Sequence, residues 1–204
     1  MKIAKFHKDN QKAKIIAVTG SSGKTTTKEL TTAVLSKKYN THSTKGNYNN
    51  HIGVPLTLLS MPQNTDIAII EMGANHPKEI EFLCSIAQPN YGLITNIGKA
   101  HLEGFGSFEN VIKTKTELYN YLRNNDGTAF INSDDNILVE NSLNLKHIEY
   151  SSHCINTTIR PSYKDSSPYL EFYFEADDKV YTINTHLLGA YNYTNALAAI
   201  CVAA

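Results

Sequence analysis

A glycine-rich turn near the start of the chain has residue types that can hold a triphosphate. Backbone N–H groups of such a turn bind phosphate oxygens, a lysine neutralises the β- and γ-phosphates, and a threonine hydroxyl coordinates magnesium. The turn lies between an apolar strand and a helix, as a phosphate-binding loop requires. Val18 stands where a strict Walker motif has its first glycine, and a turn capped by serine and threonine is the alternative. The predicted nucleotide-binding residues are Gly20, Ser21, Ser22, Gly23, Lys24, Thr25 and Thr26.

Two polar residues follow apolar strands and are candidate metal ligands. Glu71 ends the strand DIAIIE, and His101 comes shortly after the strand YGLITNI. Ligands of open α/β sheets bind outside the carboxyl ends of the strands, so both side chains could reach a metal ion there. A solvated carboxylate and an ordinary surface histidine are the alternatives.

Lys115 occupies an apolar position of a predicted helix from Ser107 to about Arg123. A bare ammonium is costly to bury, so this amine must reach water, find an anion or lose its charge by chemistry. Lys113 lies off the stripe and is predicted to be solvated. The apolar residues that share the stripe with Lys115 are Phe108, Val111, Ile112, Leu118 and Leu122.

Two asparagines, Asn192 and Asn195, lie three positions apart at the start of the last predicted helix and share one helical face. A side-chain amide offers both a donor and an acceptor, which is the pairing that the edge of adenine requires. Helix capping by Asn192 explains the first of them equally well.

The elements that must position these residues alternate between short apolar strands and helices. This alternation predicts an α/β fold with a mostly parallel sheet and helices on both faces. The helix from Lys24 to about Lys38 carries Leu30, Ala33 and Val34 on one face. From Tyr169 the pattern changes to strict alternation, which predicts an antiparallel hairpin added at an edge of the sheet. The predicted parallel strands are KIIAVT from Lys14, DIAIIE, YGLITNI, TAFINS and KHIEYS.

Composition excludes several functional classes. The 204 residues carry 19 basic and 19 acidic side chains, so no net charge attracts the chain to nucleic acid or an anionic membrane. No apolar run is long enough to span a membrane, and no secretory leader is recognisable. Three dispersed cysteines favour neither disulfides nor a zinc site, so we expect a cytoplasmic protein. The final segment NALAAICVAA has no helix stop signal, which suggests that a longer chain continues.

Long stretches of the sequence resemble the central, ATP-binding domain of the Mur ligase family. TGSSGKTTTKEL resembles the family's ATP loop, and LGAYNYTNALAAI resembles its adenine-side motif. GNYNNHIGVPLTLL, EMGANHPKEI and ITNIGKAHLEGFGS are similar to the branch that adds D-alanyl-D-alanine. Residues 1–13 resemble the connector helix that follows the family's N-terminal UDP-binding domain, and residues 14–204 resemble the central ATP-binding domain. The resemblance implies that the N-terminal domain and the C-terminal ligase domain are absent from this sequence.

The resemblance implies a site and a reaction. Lys24 and Thr25 would hold ATP phosphates and one of two Mg²⁺ ions, Glu71 and His101 would bind metal, and Lys115 would be a carbamylated lysine in the intact enzyme. ATP would activate the carboxylate of a UDP-N-acetylmuramoyl-tripeptide as an acyl phosphate, which the amine of D-alanyl-D-alanine then attacks. A monomer is expected, and the fragment alone should be inactive. The resemblance also implies weaker contacts to the bound nucleotide from Asn49 and Asn50, and contacts to its adenine from Asn192 and Asn195.

Two other functions fit parts of the sequence. A folylpolyglutamate-type ligase would share the ATP loop and the lysine, but EMGANHPKEI and HLEGFGS argue against it. A non-catalytic ATP-binding regulatory module would not need Glu71, His101 and Lys115 together.

Overall fold

The computed structural model describes residues 1–98, 102–155, 159–164, 169–176 and 178–204. Its centre is a six-stranded sheet in the order β2-β3-β1-β4-β5-β6, and all of its strand pairs are parallel. The predicted α/β class is therefore confirmed. The strands of this sheet are β1 (Lys14–Thr19), β2 (Thr41–Ser43), β3 (Ile67–Glu71), β4 (Tyr91–Ile94), β5 (Thr128–Asn132) and β6 (His147–Tyr150).

Helices cover both faces of the sheet. Among the described residues, no helix is long and apolar enough to cross a membrane. The helices are α1 (Lys2–Asp9), α2 (Lys24–Leu35), α3 (Gly53–Leu59), α4 (Glu79–Ala87), α5 (Leu102–Phe105), α6 (Phe108–Asn124), α7 (Asn136–Asn141) and α8 (Tyr191–Ala203).

Strand β1 separates two apolar layers because successive side chains point to opposite faces of a sheet. Ile15 and Ala17 join a core formed with α1, α3, α4, α6 and α7, whereas Ile16 and Val18 join a core formed with α2 and α8. Both faces of a parallel strand are buried by its crossover helices, which explains the continuous apolar run in the sequence. This arrangement fixes the carboxyl end of β1, where the glycine-rich turn begins, at the centre of one sheet edge.

The antiparallel hairpin is not an edge addition to the main sheet, and that prediction was wrong. Strands β8 (Tyr169–Ala176) and β9 (Lys179–Leu188) form a separate sheet with β7 (Arg160–Lys164), a strand that was not predicted. The physical reason lies in β8, whose buried Leu170 and Phe172 belong to the α2 and α8 core. The Phe172 ring lies 5.3 Å from the Tyr193 ring in an edge contact, so the hairpin covers α8.

The buried face of α2 also differs from the prediction. Val34 is 41% exposed and Ala33 is exposed, while the buried residues of the helix are Thr27, Lys28, Thr31 and Leu35. Helix α2 packs closely on α8, and Thr27 donates a hydrogen bond across this contact to Asn195 Oδ1 over 3.1 Å. A lysine with no exposed surface therefore lies on the inward face of α2.

Several short elements were not predicted, namely β2, α3, α5 and α7. Helix α1 forms within the predicted connector, and it contacts α3. Its Ala4 is buried, whereas Ile3 and Phe6 are 73% and 71% exposed.

Candidate functional site

The glycine-rich turn is shaped by two residues with positive φ. Gly20 has φ +144° and Gly23 has φ +76°, values that other residues rarely adopt. A Cβ atom on Gly20 would collide with the Thr95 hydroxyl, and one on Gly23 would lie 2.5 Å from Asn195 Oδ1. Helix α2 begins at Lys24 with no described side chain capping it, so the alternative of a serine- or threonine-capped turn is wrong. The first-turn N–H groups of α2 can therefore bind phosphate oxygens.

The segment after β4 holds the turn in place. Ser21 N donates to Asn96 O over 3.0 Å, and Ser22 N donates to Asn96 Oδ1 over 3.1 Å. Thr95 Oγ1 donates to Ser22 O over 2.6 Å, and Gly98 N donates to Ser21 Oγ over 2.9 Å. Sequence reasoning missed Thr95 and Asn96 as supports, although both lie in the stretch ITNIGKAH that carried the resemblance.

Lys24 bends back over the turn. Its Nζ donates to Gly20 O over 2.8 Å and to Ser21 O over 3.3 Å. Burial lowers the pKa of Lys24, and the nearby carboxylate of Glu71 partly opposes that change. An ammonium group held above backbone carbonyls at a helix N-terminus can exchange those contacts for phosphate oxygens.

Glu71 ends β3 and is only 1% exposed, so the alternative of a solvated carboxylate is wrong. Thr25 Oγ1 donates to its Oε2 over 3.0 Å, and Asn49 Nδ2 donates to its Oε1 over 2.8 Å. A carboxylate and a hydroxyl are oxygen donors that magnesium can bind, and they lie together near Lys24. The residue set therefore fits a magnesium-nucleotide complex.

Lys115 lines the same cleft as the glycine-rich turn. Its side chain is 3% exposed, as the apolar stripe predicted, whereas Lys113 is exposed. The Nζ atom lies 5.9 Å from the centre of the Phe105 ring. Burial lowers the pKa of Lys115 to about 8, and the positive charge of Lys24 adds to this effect. Roughly a tenth of this amine is therefore neutral at pH 7, far more than for an ordinary lysine, and carbamylation requires the neutral form.

The cleft encloses about 300 Å³ and contains several residues that sequence reasoning did not assign. Glu79 accepts hydrogen bonds from the backbone N–H groups of Asn75 and His76, at 2.6 and 3.0 Å. These three residues lie in the stretch EMGANHPKEI, which carried only the resemblance. The described residues that line the cleft are Gly20, Ser21, Lys24, Asn49, Asn50, His51, Gly73, Ala74, Asn75, His76, Glu79, Phe82, Leu83, Phe105 and Lys115.

The two asparagines of α8 lie next to the turn but do not line the cleft. Asn195 Oδ1 accepts a hydrogen bond from Thr27 Oγ1 over 3.1 Å, and Asn195 Nδ2 donates to Asn192 Oδ1 over 3.0 Å. Asn192 Nδ2 donates to Leu188 O over 2.9 Å. Both side chains are buried, and their hydrogen bonds brace α8 against the helix that follows the glycine-rich turn. Adenine contact stays a prediction.

His101 lies outside the described residues, so its predicted role as a metal ligand stays a prediction. Within the described part of the chain, no three histidine, cysteine, aspartate or glutamate side chains cluster around a possible metal position. The Glu71 carboxylate beside Thr25 suits magnesium, which keeps several water or phosphate ligands and needs only one or two carboxylates.

Comparison with known proteins agrees with this geometry. The family model described as the Mur ligase middle domain matches residues 18–203. The chain is 41% identical over 205 residues to a UDP-N-acetylmuramoyl-tripeptide–D-alanyl-D-alanine ligase of Buchnera aphidicola subsp. Baizongia pistaciae, covering 99% of this chain and 44% of that protein. It is 37% identical over 202 residues to the ligase of the same name from Bacillus subtilis, covering 99% of this chain and 43% of that protein.

A solved structure, MurF ligase from Thermotoga maritima in complex with ADP, superposes with a TM-score of 0.86 at 30% identity. The match covers 98% of this chain and 47% of that one. The chain therefore spans less than half the length of the curated relatives it matches. The family resemblance is confirmed by the model that matches nearly the whole sequence, and the chain belongs to the Mur ligase middle-domain family.

Proposed function

We propose that this chain is the ATP-binding core of a ligase that joins D-alanyl-D-alanine to UDP-N-acetylmuramoyl-tripeptide in peptidoglycan precursor synthesis. In this proposal residues 14–204 form the central domain, and residues 1–13 form the connector from an N-terminal domain. The single observation that carries it is the convergence of the phosphate turn, the Thr25–Glu71 pair and Lys115 at one edge of the sheet. The two similar ligases from Buchnera and Bacillus support the substrates. A reaction that consumes ATP and a nucleotide-linked precursor would take place in the cytoplasm.

The cleft residues would bind the nucleotide by neutralising its charge. Bound ATP with two Mg²⁺ ions would supply the phosphoryl group that activates a carboxylate. Lys24, which lies over the turn, and the first-turn N–H groups of α2 would hold phosphate oxygens. Thr25 and Glu71 would hold one magnesium ion, with His101 as a further ligand. Asn49 would orient Glu71 through its 2.8 Å hydrogen bond.

Lys115 would serve as a carbamate. The ammonium of Lys115 would first lose one proton, and the neutral amine would then attack carbon dioxide to form an N–C bond as one C–O π bond opens. A second proton would leave to solvent, so a buried cation would become an anion. Two lysines now repel each other across the cleft, since the charge of Lys24 lowers the pKa of Lys115. Carbamylation would replace that repulsion by attraction and would add oxygen atoms that can hold magnesium or its bound water.

Calorimetric titration of the chain with a non-hydrolysable ATP analogue tests whether the glycine-rich turn and Lys24 bind the nucleotide. We expect magnesium-dependent binding that Lys24→Ala weakens by roughly a hundredfold, the size of a lost charge-assisted contact. Lys113→Ala, a change at an exposed position on α6, is the matched control and should bind like the wild type. If Lys24→Ala and the wild type bound the ATP analogue with equal affinity, the proposed nucleotide-binding role of Lys24 would be refuted.

The substrates are tested in the full-length enzyme. Phosphate release should require both UDP-N-acetylmuramoyl-tripeptide and D-alanyl-D-alanine. Nucleotide binding without acceptor-dependent release would favour a regulatory module instead.

A further inference from the structure

Lys28 is a fully buried charged residue to which the proposed function gives no role. It lies on α2 one helical turn after Lys24, and its side chain has no exposed surface. Its Nζ donates to Thr44 O over 2.7 Å and to Glu29 Oε1, whose side chain is 62% exposed. An apolar side chain would fill this space at lower desolvation cost, so the amine is expected to serve a purpose beyond packing.

Thr44 connects this lysine to the carboxylate of the cleft. It follows β2 and is 1% exposed, and each of its polar groups has a different partner. Thr44 N donates to Ile69 O over 3.0 Å, Thr44 O accepts from Lys28, and Thr44 Oγ1 accepts from Glu71 N over 2.9 Å. The backbone of Glu71 is therefore held by a hydroxyl whose own residue is fixed by Lys28.

The same threonine begins the loop that reaches Glu71 from the other side. Five residues later Asn49 donates to Glu71 Oε1, and Asn49 O accepts from Gly73 N over 2.7 Å. Both ends of this loop therefore depend on contacts near Glu71. Fixing Thr44 determines where the loop starts and thus where the Asn49 amide lies.

We propose that Lys28 is a positioning residue, which acts through Thr44 to hold Glu71 and Asn49 in the geometry that binds the magnesium-nucleotide complex. This inference rests on the proposed function for its consequence in binding. The contact itself, from Lys28 to Thr44 to Glu71, is independent of any ligand.

The first test needs neither nucleotide nor metal. Amide hydrogen exchange is measured by NMR for the wild type, for Lys28→Met and for Lys37→Met, which changes an exposed lysine just after α2. We expect faster exchange of the Glu71 amide in Lys28→Met only, while the Ile69 amide within β3 keeps its protection. Unchanged exchange at Glu71 in Lys28→Met would overturn the proposal, whatever the protein binds.

The second test measures magnesium dependence. In Lys28→Met the magnesium concentration that gives half-maximal binding of the ATP analogue should rise roughly tenfold, as it does when the support of a metal ligand is removed. A lower melting temperature with an unchanged magnesium midpoint would show that Lys28 only stabilises the fold, and would overturn the proposal. If the wild type shows no magnesium-dependent binding, the proposed function fails while the exchange test still decides the role of Lys28.

If Lys28→Met does not fold, variants of Thr44 test whether the contact from Lys28 through Thr44 positions Glu71. Thr44→Ser keeps the hydroxyl and should behave like the wild type in both tests. Thr44→Val loses the acceptor for Glu71 N, and should show the fast Glu71 exchange and the raised magnesium midpoint. Identical behaviour of these two variants would overturn the link. Where all variants fold, Lys28→Met and Thr44→Val should be non-additive in the double variant, because they break one path.

Discussion

Replacing Lys115 by methionine is expected to stabilise the folded chain at neutral pH. Burial and the charge of Lys24 lower the pKa of Lys115 from 10.5 to about 8. The unfolded chain therefore binds this proton more tightly than the folded chain does. At pH 7 the difference opposes folding by about 3 kcal/mol. Methionine has a similar length and no charge, so Lys115→Met should raise the free energy of unfolding by up to about 3 kcal/mol.

The pH dependence follows from the same lowered pKa. The destabilising effect of the Lys115 charge is fully present below about pH 8 and is lost as the pH rises towards 10.5. Wild-type stability should therefore increase relative to that of Lys115→Met across this range. The advantage of the variant should be largest at pH 7 and small near pH 10.

Urea unfolding at pH 7 and pH 9.5 measures the difference in the free energy of unfolding, and thermal unfolding at pH 7 measures the change in melting temperature. Buffers must be free of carbon dioxide, because carbamylation would change the charge of the wild-type residue. At pH 7 the melting temperature of Lys115→Met should be roughly 6–12 °C above that of the wild type. Lys113→Met, which changes an exposed residue of the same helix, should show little change at either pH. A less stable Lys115→Met at pH 7, or an equal difference at both pH values, would refute the reasoning.

Two further predictions concern the turn and the thiols. Gly23 and Gly106 both have φ +76°, but only at Gly23 would a Cβ meet a neighbour, Asn195. Each alanine variant should lose about 1–3 kcal/mol through backbone strain, and Gly23→Ala should lose more and also bind nucleotide less tightly, as melting and calorimetry would reveal. Equal losses would contradict the close approach of α8. Iodoacetamide should label Cys154 first in mass spectra, since burial raises the pKa of the other two thiols; early labelling of either would contradict their burial.

Local patterns predicted the parts of the site that depend on neighbouring residues. The run KIIAVT gave β1 with its observed ends, and the helical spacing of apolar residues gave the burial of Lys115. Both patterns are periodic within one element, so the sequence carries them directly. The order of Gly20–Thr26 between a strand and a helix likewise located the turn.

Residues whose environment depends on distant elements were not predicted. Leu30, Ala33 and Val34 were placed on one face of α2, but only Leu30 packs against the core. The burial of Lys28 depends on a distant contact, its hydrogen bond to Thr44 O. Thr95 supports the turn through contacts that span 73 positions of the chain. The hairpin was placed at the sheet edge because alternation reveals a half-buried strand, but not what covers it.

The bracing of the turn by α8 has a consequence for synthesis of the protein. On the ribosome the residues Gly20–Lys24 emerge early, but Thr27 finds its Asn195 partner only 168 positions later. A nascent chain therefore contains the motif before the contact with α8 can form. A translation product that stops before α8 would keep the ATP motif in its sequence and lack the Thr27–Asn195 hydrogen bond that braces α2 beside the turn.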